Sequence, residues 1–195
     1  MLDGPSATIP DALDAIERET ESHDFDMPSD RRTGSLLRTL AASKPDGRLL
    51  ELGTGTGLST AWLLSGMDRS ARLDSIDDDP DVLRIARRHL GNDERVRFRC
   101  EDGHTFIGEA GVATYDLIFA DTWPGKYEGL DQTLDLLKPG GLYVIDDMDP
   151  QPNWPAGHED EVDRLLGELA RDPRLELCRM DWSTGLIVGT RRTKA

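Results

Sequence analysis

Three short stretches of this chain carry residue types at spacings suited to chemistry. The first is Leu49-Leu50-Glu51-Leu52-Gly53-Thr54-Gly55-Thr56-Gly57-Leu58-Ser59. Alternating glycines between an apolar run and a helical pattern make a turn that a ligand can approach closely, beside the free N–H groups of a helix start. A phosphate-cradling loop would need a lysine after the last glycine, and none follows. A dinucleotide fingerprint fails at its third glycine, where Leu58 stands. A nucleoside-binding turn remains, with Glu51 supplying a carboxylate from the strand end. The second stretch is Ser75-Ile76-Asp77-Asp78-Asp79-Pro80, roughly 20 residues on, where an acid can accept hydrogen bonds from both ribose hydroxyls. Asp77, first after the apolar run, is the ribose candidate. Asp78 stands beside it at a helix start that favours acids anyway, and Asp79 reads as the cap of a helix beginning at Pro80. The third is a carboxylate set, Asp121 after one apolar run and Asp146 and Asp147 after the next. On neighbouring parallel strands these would bring three hard oxygen ligands to one rim, a donor set for Mg²⁺ or Ca²⁺ rather than zinc. The bland alternative is that they only cap strand ends or orient a cofactor.

An alternation of short apolar runs and amphipathic stretches from Gly47 onward must position these residues. Strands are predicted at 48–52, 71–76, 95–100, 115–120, 142–145, 174–180 and 185–190. Helices are predicted at 59–66, 80–91, 105–110, 127–137 and 159–172. Two polar helices precede them, Asp11 to Ser22 and Ser29 to Ser43, the second capped by Ser29 and stopped by Pro45. The alternation implies βαβ units, hence an α/β fold with a mostly parallel sheet and helices on both faces. The two closing strands suggest an antiparallel pair at one edge. The longest irregular stretch, 148–158, holds three prolines and Trp154 and follows a strand, a place where loops carry function.

The chain has 195 residues and a formal charge of −15, from 23 basic and 38 acidic side chains. That balance argues against a sequence-independent nucleic-acid binder and against docking on anionic lipid. No apolar run approaches the roughly 20 residues of a membrane helix, and no signal peptide is visible at the N-terminus. Cys100 and Cys178 make neither a disulfide framework nor a metal spacing. The expectation is a single acidic cytoplasmic domain over 1–195, with helices in 1–45 lying over the site and a core in 46–195. Arg84, Arg87 and Arg88 read as a solvated helix face, and the terminal RRTKA as a frayed end.

Taken as an ordered series, ELGTGTGLS, IDDDP, CEDGHTF, YDLIFADTW and LLKPGGLYVIDDM resemble the class I S-adenosylmethionine-dependent methyltransferases. Within that group they are most similar to the metal-dependent O-methyltransferases of the catechol and caffeoyl-CoA type, from about Met27 to Met148. The resemblance implies a Rossmann-like, seven-stranded, mostly parallel sheet whose last strand is antiparallel. By position, Glu51, Gly53 and Ser59 would meet the donor's methionine end and Asp77 its ribose, with Thr54, Gly55, Asp78 and Asp121 also among the donor-binding residues and Asp121 also among the catalytic ones. Asp102, Gly103 and His104 would flank the adenine, although His104 reads equally as a solvated helix-start residue. Trp123 would pack against the adenine or close the site, and Met27 and Ser29 would lie over the donor. Asp121, Asp146 and Asp147 would hold the metal, with aspartate where the family's third ligand is asparagine. One departure matters: proline (Pro124) stands at the family's general-base lysine. Lys126, two residues on, and His158 are the candidate replacements. The implied reaction is O-methylation of a small phenol or catechol-like acceptor, with S-adenosylmethionine as donor and Mg²⁺ or Ca²⁺ assisting. The alternatives are a metal-independent methyltransferase acting on nitrogen, carboxylate or protein, a non-catalytic donor-binding module and, weakest, a nicotinamide oxidoreductase. The amphipathic first helix could make a homodimer contact.

Overall fold

The structure, a computed structural model, describes residues 9–23 and 25–193. Residues 1–8, where the N-terminal leader was sought, and 194–195 of the basic tail lie outside them. The elements run α1 (Leu13–Ser22), α2 (Arg31–Ala42), β1 (Arg48–Leu52), α3 (Leu58–Gly66), β2 (Arg72–Asp77), α4 (Pro80–Leu90) and β3 (Val96–Cys100). There follow α5 (Gly103–Glu109), β4 (Tyr115–Ala120), α6 (Leu130–Leu136), β5 (Leu137–Ile145), α7 (His158–Arg171), β6 (Leu175–Met180) and β7 (Leu186–Arg191).

The seven strands form one sheet in the order β3-β2-β1-β4-β5-β7-β6, and β7 alone runs antiparallel to its neighbours. This is the Rossmann-like topology expected of the sequence. The central strands are apolar on both faces because helices cover both. Leu49, Leu117 and Phe119 face the layer of α1–α4, while Leu50, Ile118 and Ala120 face α5–α7. No helix among the described residues is long and apolar enough to cross a membrane.

Four boundaries differ from the sequence reading. Asp30, not Ser29, caps α2, accepting from the Arg32 and Thr33 backbone N–H groups, which frees Ser29 for the site. Helix α6 starts at Leu130, three residues late, because 123–129 is a tight turn. Strand β5 starts at Leu137 and absorbs the Lys-Pro-Gly-Gly stretch through a register shift. Helix α5 begins at Gly103, with Asp102 as its cap.

The N-terminal helices sit close on the core because glycines permit it. A Cβ at Gly34 of α2 would lie 2.1 Å from the Trp62 ring of α3, and one at Gly66 would lie 2.1 Å from the Arg38 carbonyl oxygen. Helix α1 is tied to α4 by Glu19, whose carboxylate meets Arg88 and, at 2.8 Å, His89. This packing hangs the connecting segment 25–30 over the C-terminal ends of the strands.

Candidate active site

Parallel strands leave the carboxyl ends of β1, β2, β4 and β5 at one rim, where open α/β sheets bind ligands. Two cavities lie there side by side. The first, about 320 Å³, is walled by the glycine turn Gly53–Thr56, Ser59, Asp77–Asp79, Val82 and Phe25. A small annex of about 60 Å³ extends it past Gly103 between Leu52, Ile76, Thr122 and Pro124. The second, about 330 Å³, is walled by Trp123, Lys126, Tyr127, Asp146, Trp154, His158 and Thr184, among others. Met27, Pro28, Ser29, Asp121, Thr122 and Asp147 belong to both. Two larger hollows along α7 contain none of the predicted site residues.

The first cavity is shaped by backbone. Gly53, Gly55 and Gly57 all have positive φ, which lets the turn fold back between β1 and α3. A Cβ on Gly53 would meet the Asp121 carbonyl oxygen at 2.7 Å, so the turn and the end of β4 are in direct contact. Asp77 Oδ2 accepts from the Gly55 N–H at 2.7 Å and Oδ1 from the Asp79 N–H at 3.0 Å. Burial pushes the Asp77 carboxyl up from its ordinary value, against those two bonds. Its half-buried carboxylate on the wall suits a ribose diol, and Leu52, Ile76 and Pro124 give the annex apolar surface on which the edge of a flat base can rest. This set fits an adenosyl donor.

Not every residue expected here arrives. Glu51 is fully buried behind the turn and lines neither cavity; Thr60 and Ser75 donate to its Oε2 at 2.5 and 2.6 Å, and Oε1 has no partner. Burial raises its carboxyl to about 7. Glu51 therefore lies beneath the turn, outside the lining of both cavities. Asp102 spends its carboxylate capping α5, accepting from Thr105, and His104 is exposed and bonded to Glu128 at 2.7 Å. Only Gly103 of that trio reaches the annex. Trp123 lines the second cavity and not the first or its annex, its ring 5.1 Å from Tyr127 and 5.8 Å from His158.

The second cavity is shaped by side chains. Its aromatic wall is Trp123, Tyr127, Trp154 and His158, with Trp154 and His158 at 4.5 Å. The Tyr127 hydroxyl and His158 Nε2 are hydrogen-bonded at 3.0 Å, and His158 Nδ1 is closed off without a partner. Burial lowers the imidazole's pKa. His158 thus reaches the cavity as expected, but as wall rather than as a base with a free nitrogen. Lys126 arrives through the turn. Gly125, at φ 88°, packs so tightly that a Cβ would lie 2.4 Å from Leu52 Cδ1, and the Tyr143 hydroxyl donates to its carbonyl. This winds the chain so that Pro124 faces the donor annex while Lys126 turns inward, 4% exposed, donating to the Asp146 carbonyl at 2.5 Å.

Asp121, Asp146 and Asp147 do come together at this rim, as predicted, but each is differently engaged. Ser29 Oγ donates to Asp121 Oδ2 at 2.9 Å. Asp146 Oδ1 accepts from Thr184 Oγ1 and from the Asp147 N–H. The Asp147 carboxylate has no hydrogen-bond partner among the described residues. Burial, reinforced by Asp146 and Asp147, holds Asp121 well above the usual carboxylate range. Burial likewise lifts Asp146, to about 6. Lys126 is lowered by burial, with the three carboxylates opposing the shift. No group of three acidic, histidine or cysteine side chains among the described residues is arranged to hold a metal ion. Asp121, Asp146 and Asp147 are thus neighbours at the rim, and their arrangement lends the expected Mg²⁺ or Ca²⁺ set no support. Thr184, Thr122, Tyr127 and Phe25 were missed by sequence reasoning, and none carries a local signal.

Comparison with known proteins agrees with this architecture. Residues 50–148 match the profile of a protein family described as a methyltransferase domain. A Mycobacterium avium protein provisionally named an O-methyltransferase is 28% identical over 168 residues, covering 81% of this chain and 76% of its own. A Mycobacterium tuberculosis protein of similar name is 33% identical over 117 residues, 57% of this chain and 52% of its own. Among solved structures, the O-methyltransferase TomG from Streptomyces achromogenes, in complex with SAM, superposes with TM-score 0.80 at 23% identity, covering 95% and 92% of the two chains. An O-methyltransferase from Bacillus cereus in complex with SAH gives 0.80 at 19%, covering 98% and 94%. The chain belongs to the methyltransferase-domain family, and the resemblance read from its motif series is borne out.

Proposed function

We propose that this methyltransferase-family chain transfers a methyl group from S-adenosylmethionine to a hydroxyl of a planar small molecule, phenol or catechol-like. The observation that carries the reading is the meeting of two unlike cavities across Asp121, Asp147 and residues 27–29. One is a nucleoside-shaped cleft and the other an aromatic-walled pocket, so two bound ligands would touch only at that boundary. The donor supplies an electrophilic methyl on a cationic sulfonium.

The chain's own contribution is chiefly positioning, which can be worth about 7–11 kcal/mol of barrier when reacting atoms are held in line. Asp77 and the annex fix the donor's nucleoside end. Trp123, Trp154 and Tyr127 sandwich a flat acceptor and exclude water. Lys126 donates a hydrogen bond to the acceptor oxygen. Asp147, unpartnered and facing both cavities, accepts the hydroxyl proton as the oxygen–methyl bond forms and the sulfur–methyl bond breaks. The proton leaves to solvent after the product.

Radiolabelled methyl transfer over a panel of phenols, catechols, amines and carboxylic acids tests this. Label is expected on phenolic oxygen. Label on amines or carboxylates alone, or tight donor binding with no acceptor at all, would sink it.

A further inference from the structure

A turn rich in glycine is easily bent, so its shape depends on what holds it from outside. Gly53 and Thr54 are held from β2. Both N–H groups donate to the Ile76 carbonyl, at 2.9 and 3.1 Å, and the Thr54 and Ser75 hydroxyls are bonded at 2.6 Å. Gly55 is held by Asp77. Thr56 is held from the opposite side, by Thr20 in the last turn of α1, whose hydroxyl donates to Thr56 Oγ1 at 2.8 Å. We infer that Thr20 is a positioning residue for the donor, fixing the far end of the glycine turn through this hydroxyl pair. The inference rests on the donor-cavity reading above.

Thr20 itself meets no ligand. It is 3% exposed and lines neither cavity, whereas Thr56 belongs to the donor cavity's wall. The two residues stand 36 apart in the chain, so their bond joins separate elements. The Thr20 proton has a second acceptor, the Ile16 carbonyl of its own helix at 2.8 Å. The Thr56 hydroxyl has no other partner among the described residues, and it is buried. Removing the Thr20 hydroxyl would therefore leave Thr56 buried and unpaired, with the penalty falling on the turn.

The helix is anchored firmly enough to serve as a support. Leu13 and Ile16 are buried in the core beside α2 and α3, and Glu19 is held by Arg88 and His89 near the end of α4. Farther along, Phe25 packs on the same turn, where a Cβ at Gly55 would lie 3.2 Å from its ring. A turn already held in its bound shape spares the donor the entropy of ordering it. Loss of the support should therefore appear in donor affinity.

Isothermal titration calorimetry with S-adenosylmethionine on the full chain tests this. The variants are Thr20→Val, Thr56→Val, the two combined, and Thr20→Ser, with Ile16→Val as a control that loosens α1 while keeping the hydroxyl pair. Thr20→Val is expected to raise donor Kd about five- to tenfold. Thr20→Ser should stay within about twofold of wild type, and Ile16→Val should lower the melting temperature yet also stay within about twofold. The double variant, with both polar groups gone, should bind no more weakly than either single variant. Thr20→Ala takes the place of Thr20→Val if the latter does not fold by circular dichroism. A donor Kd unmoved in Thr20→Val overturns the inference. So does equal weakening by Ile16→Val at the same loss of melting temperature, or single effects that multiply in the double variant. A wild type that binds no S-adenosylmethionine overturns the donor reading itself, whereas normal wild-type binding with unmoved variants overturns the positioning role alone.

Discussion

The two cavities meet at one rim yet are built by opposite means. The donor side is backbone: a glycine turn in left-handed conformations, strand ends, and one carboxylate bonded to two N–H groups. The acceptor side is side chains, brought from the 26–30 segment before α2, the ends of β4 and β5, the 123–129 turn, the 148–158 loop and the β6–β7 turn. A backbone site holds one ligand shape over many sequence changes elsewhere. A side-chain site can change its ligand by changing its loops, while the fold stays put. The proposed function puts the donor on the first and the choice of acceptor on the second.

Four substitutions test that division. The broadest effect, on folding and donor binding together, is expected at the contact between the halves. Gly53→Val forces a β-branched residue into φ 93°, with its Cβ against the Asp121 carbonyl. Left-handed backbone alone costs about 1–2 kcal/mol, so melting temperature should fall and calorimetric donor affinity drop at least about tenfold. Donor affinity within threefold of wild type would show that the close approach is dispensable.

Next come the paired carboxylates. Asp147→Asn should lower kcat about 10²-fold or more with donor Kd little changed. Asp77→Asn should weaken donor binding about tenfold or more, as expected for a charged hydrogen bond, with kcat nearly preserved at saturation. The opposite pattern would exchange their assignments. A smaller effect is expected at the aromatic wall, where Trp154→Ala should raise acceptor KM by about 2–10-fold and leave donor Kd alone. If the donor is lost instead, the loop belongs to both halves.

The smallest effect is on stability against pH. Glu51 is raised from 4.5 to about 7 in the folded chain, and Asp146 from 3.8 to about 6. Both folded carboxyls then bind more protons than unfolded ones between those values. Their contribution is greatest at low pH and is lost as pH rises through about 6 and 7. Glu51→Gln removes its share, so the variant's melting temperature should gain on wild type by about a few degrees between pH 5 and pH 8. Any cost of the buried amide is common to both pH values. An unchanged gap would mean that Glu51 does not titrate in this range.

The donor half was largely legible in the sequence because its determinants are local. Three glycines after an apolar strand, and Asp77 one strand later, mean the same thing wherever the fold places them. The errors there were also local ambiguities. Asp102 followed by Thr105 is a helix cap as well as a strand-end acid, and capping won. Glu51 sits at a strand end but points into the layer beneath the turn. On the acceptor side, Asp121, Asp146 and Asp147 were found because parallel strands end together. Thr184 was not: it lies 38 residues from Asp146, and only the insertion of β7 beside β5 brings it there. Lys126 was foreseen as a shifted base, but the shift depends on Gly125 adopting positive φ, which sequence allows without requiring.

Residues 27–29 carry a last consequence. They are wall to both ligands, so the chain has one gatepost shared by two doors. Asn153, donating to the Asp26 carbonyl at 3.3 Å, ties the frame of the second door to the same post. A change at any of residues 27–29 is therefore expected to be felt by ligands on both sides of the rim.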